Sequence, residues 1–377
     1  MCALRLISPC PKCRPQNTGA GLVAFAQGQI SAAVPVILGV PAADARLALS
    51  GLLPHRLLPV RVMASLHLAS QRWILAALAA VLLLVGPAAA QEQQAASQAF
   101  PAELVEFTAY DGNPIFKGAG PGHWDVKIRE RGWIIKEGDL YRMWYTGFDG
   151  TREGIKMLGY ATSRDGIHWE RWPGNPIYRD HWVEDVMVLK HDGTYYMFAE
   201  GTGDEAHLLT SPDGINWKRE GRLDVRQTNG QPISPGPYGT PFVMVENGTW
   251  YLFYERGDQG VWLATSRDRK VWTNVQDDPV IKLGPGEYDR VMIALNQVIK
   301  HKGRYYALLH GSGDEERPRL WSTTVAVSDD LIHWTKYPGN PLFPIKENKS
   351  SGIWVHDGQG FRLYTMHDEV NLHLPRR

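Results

Sequence analysis

From Phe100 onward the chain alternates short apolar runs with polar, Gly-containing turns, and one pattern returns five times. A turn leads into an aromatic strand in EGDLYRMWYTG, HDGTYYMFAEG, ENGTWYLFYERG, HKGRYYALLHG and HDGQGFRLYTM. The leading aromatic falls at Tyr141, Tyr195, Trp250, Tyr305 and Phe361, in steps of 54, 55, 55 and 56 residues. Short apolar runs precede it at Trp133 to Ile135, Val186 to Leu189 and Phe242 to Val245, and a third strand follows. Runs of about four to eight residues bounded by turn signals are strands, and no long helical period follows residue 100.

The third strand runs into a second motif, S-x-D-x-x-x-W, at Ser163/Asp165/Trp169, Ser211/Asp213/Trp217, Ser266/Asp268/Trp272 and Ser328/Asp330/Trp334. Here the Ser and Asp side chains are expected to bond the backbone of a tight turn, with the Trp covering the edge of the next blade. Repeats of this length and strand count are propeller blades. The predicted fold is therefore all-β, a five-bladed β-propeller of four-stranded antiparallel blades. The fifth repeat has no S-x-D turn, so the segment from Phe100 to Phe116 is expected to supply its outer strand and remove an exposed edge. Asn-Pro pairs at Asn113, Asn175 and Asn340 punctuate the joins between blades.

Upstream, MASLHLASQRWILAALAAVLLLVGPAAAQEQ begins at Met63 with Arg72 as positive flank, an apolar core from Trp73 to Val85, and small residues at Ala88 and Ala90. This reads as a signal peptide over 63–90 cleaved after Ala90, and so as a secreted or periplasmic protein with no membrane association after cleavage. The apolar run is short for a bilayer of about 30 Å; an uncleaved anchor is the alternative. Residues 1–62 follow no steady period and read as a mis-assigned upstream or disordered segment, with Met63 as the true start. Residues 91–109 form a linker and the start of the closing strand, and 110–377 the propeller.

Cys2, Cys10 and Cys13 all lie upstream, which leaves residues 91–377 with no disulfide framework and no thiolate metal site. The 40 basic and 40 acidic residues include seven Lys or Arg and one Asp in 1–90, so 91–377 carries 33 and 39, a formal charge of −6. That balance argues against a nucleic-acid partner. The 14 Trp and 15 Tyr suit both a β-rich core and a sugar-stacking cleft.

The segments LYRMWYTG, GYATSRDGIHWER, TYYMFAEG, PGNPIY and PGNPLF make residues 110–370 similar to the five-bladed propeller glycosidases of glycoside hydrolase families 43 and 32, and to relatives such as the mannoside phosphorylases of family 130. The resemblance implies an acidic residue at the start of the innermost strand of the first three blades, around a central funnel. These serve as a carboxylate base or nucleophile, a carboxyl acid and an orienting carboxylate. The first blade offers Asp125 and Glu130, which lie 16 and 11 residues before Tyr141. Glu130 has the better register, and Asp125 has an equivalent in Asp289, so it also reads as a repeated structural turn. The second offers Glu184 and Asp185, of which one is expected to face the funnel because adjacent strand residues point opposite ways; Asp185 is favoured.

In the third blade PYGTPFV puts Gly239 and Thr240 where the resemblance implies a Glu, which puts the usual acid in doubt. Replacements come from the far ends of the second strands, which return to the funnel mouth in an antiparallel pair: Thr146, Glu200, Glu255, His310 and Met366. Glu255 is the expected acid and Glu200 the next choice. His310 is a substrate hydrogen-bond donor or an acid, as in a related propeller family that cleaves anhydro-galactosides. Lys127 and Arg129 are expected to bind substrate, together with Glu184, Glu200, Thr240 and His310.

The expected function is thus an exported glycoside hydrolase acting on an oligo- or polysaccharide by carboxylate acid/base catalysis. A phosphorylase, with Lys127, Arg129, Arg131 and Arg290 available for phosphate, and a non-catalytic carbohydrate-binding propeller are the alternatives. A sialidase is disfavoured, because its repeated box spaces the Asp and Trp one residue further apart. No motif has diagnostic metal-ligand spacing and no cofactor is required. The resemblance allows a structural Ca²⁺ at the propeller axis, near His356 or Asp357.

Overall fold

The computed structural model describes residues 99–376. The leader-like segment, the stretch 1–62 and the three cysteines lie outside the described residues. Among the described residues no helix is long and apolar enough to cross a membrane.

Each sequence repeat folds into one antiparallel sheet, and the five inner strands touch in cyclic order to form a propeller. The first blade comprises Lys127–Glu137, Leu140–Phe148, Met157–Ser163 and Glu170–Arg171. Glu184–His191, Thr194–Gly201, Glu205–Ser211 and Lys218–Arg222 make the second. The third has Phe242–Glu246, Thr249–Glu255, Gly260–Ser266 and Val271–Asn274, with Asp224–Arg226 added in parallel outside and Ile281–Lys282 paired to its third strand. Met292–His301, Arg304–Ser312, Ser322–Ser328 and Trp334–Lys336 form the fourth.

The fifth blade has Gly352–His356, Phe361–Met366 and Glu369–Pro375. Its outer strand is Phe107–Ala109, registered Phe107↔Pro375 to Ala109↔His373, so the start of the propeller closes its end as the repeat required. A one-turn helix, Ala102–Val105, was not legible in the pattern. It inserts Leu104, with Phe100 and Phe107, into an apolar cluster with Leu308, Val325 and Leu363 of the last two blades.

Two side-chain devices build the ring: one joins neighbouring blades, and the other ties the segment leaving a blade to that blade's third strand. In the S-x-D turn, Ser163 Oγ accepts the Gly166 N–H at 2.9 Å and Asp165 Oδ1 accepts those of Ile167 and His168 at 2.8 Å, and the same bonds recur around Asp213 and Asp330. Trp217, Trp272 and Trp334 then pack edge-on against Trp144, Phe198 and Phe253, at 6.4, 5.9 and 6.2 Å between centroids. These partners belong to the preceding blade, not the next one, because each turn lies over the second strand of the blade before it. Trp144 Nε1 donates to Gly214 O there at 2.7 Å, and Tyr364 OH to Gly166 O at 3.1 Å, which carries the same joint from the fifth blade round to the first.

The Asn-Pro punctuation is the second device. The Asn175 amide accepts from Tyr160 N–H and donates to Tyr160 O, both at 2.9 Å, as a strand peptide would. Asn340 does so with Val325 and Asn113 with Leu372.

The closing strand can be tested by comparing a protein that begins at Asp111 with one that begins at Gln91. Phe100, Leu104 and Phe107 are buried. At about 1.5–3 kcal/mol each, their loss removes much of a typical stability of about 5–15 kcal/mol. The shorter chain is expected to melt at least ~10 °C lower or without a cooperative transition; an unchanged melting temperature would show the strand to be dispensable.

Candidate active site

At the funnel mouth the inner strands break their own rules. Glu130, Asp185 and Thr240 follow one another in steps of 55, with Ser351 at the matching place in the fifth blade. All four are left-handed, with φ of 53°, 45°, 43° and 52°. Such backbone is uncommon outside glycine, and for β-branched Thr240 it is a real outlier of the kind that collects at functional sites. The pairing register also slips there, between Arg129 and Trp133, between Glu184 and Met187, and between Leu295 and Gln297. An extra residue re-aims its neighbours, so strict alternation fails, and both Glu184 and Asp185 line the central cavity.

Beneath the mouth lies Arg131, fully buried. Its guanidinium donates to the carbonyls of Leu295 (3.1 Å), Asn296 (2.8 Å), Pro241 (2.7 Å) and Asp185, spanning blades two, three and four. Its own N–H meets Asp185 Oδ1 at 3.3 Å. Burial, with the Asp185 and Glu200 charges opposing, lowers its pKa to about 10. The carbonyls that converge on the axis are thus taken by a side chain. His356 and Asp357 sit at the other end of the fifth inner strand, where Asp357 bonds Arg362 at 2.8 Å. Among the described residues no group of three or more His, Cys, Asp or Glu is placed to hold a metal ion.

The cavity has a volume of about 730 Å³, within the range of small-molecule sites. Nine of the ten residues singled out from sequence line it: Glu130, Asp185, Glu255, Lys127, Arg129, Glu184, Glu200, Thr240 and His310. Asp125 does not. Its Oδ2 accepts from Arg171 Nε at 2.9 Å and Tyr145 OH at 3.1 Å, and its equivalent Asp289 meets Lys336 Nζ at 2.5 Å. Both are buried clamps on the outer part of a blade, the repeated-turn reading of this position. Arg131 and Arg290, considered for phosphate, also lie outside the lining.

Eight carboxyl groups face this one space, and their environments pull their protonation apart. Burial works to raise the pKa of Glu130, but the His367 ring 3.1 Å away and the Arg129 guanidinium at 3.4 Å outweigh it and bring it down to about 2. His367 in turn is lifted against burial to about 9 by the Glu130 charge. Burial, then the charge of Glu130, pushes Asp185 up to about 7. Glu200 is held well above the usual range by burial and by Asp185 and Glu184. It pairs directly across the strands with Glu184, a like-charge opposition that a proton relieves. Asp258 reaches about 8 through burial and Glu255. Burial lowers His310 to about 4, leaving a neutral ring held 2.8 Å from Asn296 Oδ1 and edge-on to Trp321.

The departure at Gly239-Thr240 has a structural cause. A Cβ on Gly239 would lie 2.1 Å from Glu200 Oε2 and 2.7 Å from Glu255 Oε1, so the missing side chain is the room these two carboxyls occupy. Thr240 N–H donates to Glu200 Oε2 at 2.9 Å, and Gly239 N–H to Glu255 Oε1 at 3.0 Å. The other oxygen of Glu255 accepts from Asp258 N–H. Glu255, the acid expected from sequence, is therefore bound to backbone through both oxygens. Glu200 is bound through one and sits where the third blade lacks a carboxyl of its own. Glu184 anchors Arg129 and Trp182 Nε1, the latter at 2.8 Å.

Also lining the cavity are Asp204, Asp258, His367, Asp368, Arg317, Arg319 and Trp321, which the sequence reading missed. A signal existed for the acids. Asp149, Asp204, Asp258, Asp314 and Asp368 recur in steps of 55, 54, 56 and 54, just past the second strand of each blade. Three of the five reach the cavity. His367 is one residue beyond Met366, the last of the far-end positions compared.

No family model matches the chain. It is 28% identical over 219 residues to an uncharacterised protein of Mycobacterium tuberculosis, covering 53% of this chain and 72% of that one. Over 245 residues it is 28% identical to a 1,2-β-oligomannan phosphorylase of Thermoanaerobacter sp., covering 60% of this chain and 78% of the relative. A glycosyl hydrolase from Bacteroides ovatus matches in structure with a TM-score of 0.63 and 16% identity, over 74% of this chain and 97% of that one. The chain is a five-bladed β-propeller similar to glycoside hydrolases and oligomannan phosphorylases.

A stability prediction follows from the raised acids. Asp258 keeps its proton in the folded state up to about 8 but loses it near 3.8 when unfolded, so its contribution is intact below the lower value and is lost as pH rises through the higher one. Asp258→Asn should leave the melting temperature unchanged at pH 3.5 and raise it by at least ~3 °C at pH 8, where about 1 kcal/mol corresponds to roughly 2–4 °C in a domain of this size. Equal shifts at both pH values would refute the assignment.

Proposed function

We propose that this protein is an exported carbohydrate-active enzyme that hydrolyses a glycosidic bond of a neutral oligosaccharide in the central cavity. One observation carries the reading: ionised Glu130, at about 2, shares the cavity with Asp185, at about 7, and with Glu200, higher still than a normal carboxyl. Glycosidic cleavage needs this contrast, an acid to protonate the leaving oxygen and a carboxylate to activate water or attack the anomeric carbon. Glu200 is the acid, with Oε2 fixed by Thr240 N–H. Glu130 is the base or nucleophile, its charge sustained by His367 and Arg129. Burial, and then Asp185 and Glu184 beside it, keep the proton on Glu200, and Glu255 shapes the loop that presents it. A propeller that only binds saccharide has no need of paired acids in opposite protonation states.

Two features favour water over phosphate as the acceptor. Arg129 is engaged by Glu184 and Glu130, and Arg319 by the carbonyls of Asp314 and Glu315. The charge that His367 and Arg129 sustain on Glu130, in a cavity lined by seven further carboxyl groups, opposes a dianion. Phosphorolysis is the second reading, supported by Lys127 and Arg317 in the lining and by the Thermoanaerobacter relative. That relative also makes β-1,2-linked mannosides the first substrates to try.

The test is product release from β-1,2-mannobiose and longer mannosides, with and without phosphate. Expected is reducing sugar without phosphate, with Glu130→Gln and Glu200→Gln each lowering kcat by at least ~10²-fold in proteins that still melt cooperatively. The rate should fall on the alkaline side as the Asp185–Glu200 pair deprotonates, from about 7 upward. Mannose 1-phosphate formed only when phosphate is present would assign phosphorolysis. No turnover across a broad glycan panel would sink the enzyme and leave saccharide binding.

Export rests on the segment 63–90. Expressed from Met63 in a secreting host, the protein should be recovered outside the cytoplasm with Gln91 as its first residue; a retained leader would point to the anchored alternative.

A further inference from the structure

A second pocket, of about 240 Å³, lies in the mouth of the fifth blade and shares His367 and Asp368 with the central cavity as a common wall. Its floor is Ser350, Thr365 and Asn371, all buried. Ser350 Oγ has no hydrogen-bond partner within the protein. At the rim, the Glu369 carboxylate is held by Asn371 Nδ2 at 3.3 Å and faces Lys349 Nζ at 3.7 Å. No aliphatic side chain and no Phe, Tyr or Trp lines the pocket.

We propose that this pocket is a further saccharide subsite, which holds one more neutral sugar unit of the substrate that is cleaved next door. The proposal rests on the glycosidase reading of the central cavity. A lining made only of hydroxyl, amide and charged groups suits a ligand that carries a hydroxyl on nearly every carbon and suits an apolar group poorly. Leaving a buried hydroxyl without a partner costs free energy, and a sugar hydroxyl seated against Ser350 would supply both donor and acceptor. Glu347, Asp368 and Glu369 outnumber Lys349 and the protonated His367, so the pocket disfavours an acidic sugar. The shared wall is what ties the pocket to the reaction: a unit seated beyond His367 and Asp368 is connected to one seated beside Glu130. The enzyme therefore selects chains longer than the unit pair at the scissile bond, or chains branched next to it.

The test uses β-1,2-mannobiose, -mannotriose and -mannotetraose. Turnover is measured with the parent, and binding by calorimetry with the Glu130→Gln protein, which holds substrate without cleaving it. Expected is a tenfold or greater gain in kcat/KM, and in affinity, on passing from the disaccharide to a longer chain. Asn371→Leu, close in volume, should remove most of that gain and leave the disaccharide within twofold of the parent. Ser350→Ala, which deletes only the hydroxyl, should remove part of it even if Asn371→Leu does not fold. No gain with chain length in either measurement, or a gain untouched by both variants, overturns the subsite and leaves a water-filled pocket. A length-dependent affinity sensitive to these variants in a protein without turnover keeps the subsite and overturns the glycosidase reading alone.

Discussion

The propeller converges on a single guanidinium. Arg131 carries its charge in the middle of the ring, bonded to carbonyls of three other blades and to none of the carboxylates through a salt bridge. Carbonyl dipoles satisfy it, apart from one nitrogen, Nε, which has no partner. Because those carbonyls belong to Asp185, Pro241, Leu295 and Asn296, the same contacts hold the inner strands at the point where they depart from regular β geometry. A left-handed residue outside glycine costs of order 1–3 kcal/mol, and it persists only where its surroundings leave no alternative. Here the closed ring and its central cation impose the conformation.

From that constraint the chemistry of the site follows. Turned-out mouths bring Glu130, Glu184 and Asp185 to one cavity, and the second strands add Glu200 and Glu255 from the other side. So many acids in one space cannot all be ionised; burial and mutual repulsion leave some protonated at neutral pH, while those beside a cation stay charged. His367 and Arg129 select Glu130 as the charged member. The proton then rests with Asp185, Glu200 and Asp258, where repulsion is strongest. Gly239 belongs to the same arrangement, because a side chain there would displace the carboxyls that the cavity uses.

Periodicity along the chain makes the architecture legible in the sequence. Repeats 54 to 56 residues apart, each with a turn, an aromatic strand and an S-x-D turn, are decided by local rules of turn chemistry and strand alternation. The strand that closes the ring was inferred from the one piece the last repeat lacked. Nine of the nineteen residues that line the cavity were legible for the same reason, since equivalent positions of a repeat return to equivalent places around the axis. Asp125 carries two readings in the sequence because two acids stand near one strand start, and spacing alone does not say which of them is clamped by Arg171 on the outer blade.

What the sequence by itself determined is the number of blades, their order and the belt of residues at the funnel mouth, because each depends on neighbours within one repeat, and the way the ring closes, because the last repeat lacks one strand. Only the tertiary structure decided which face each mouth residue presents, since a left-handed residue and a slipped register reverse the alternation that strand periodicity assumes. It alone showed Glu255 bound to backbone, Glu200 in the space vacated at Gly239, and His367 against Glu130. Each of these pairs joins different strands or blades, and the protonation of a carboxyl is set by whatever charge stands beside it in space, whichever repeat supplies it.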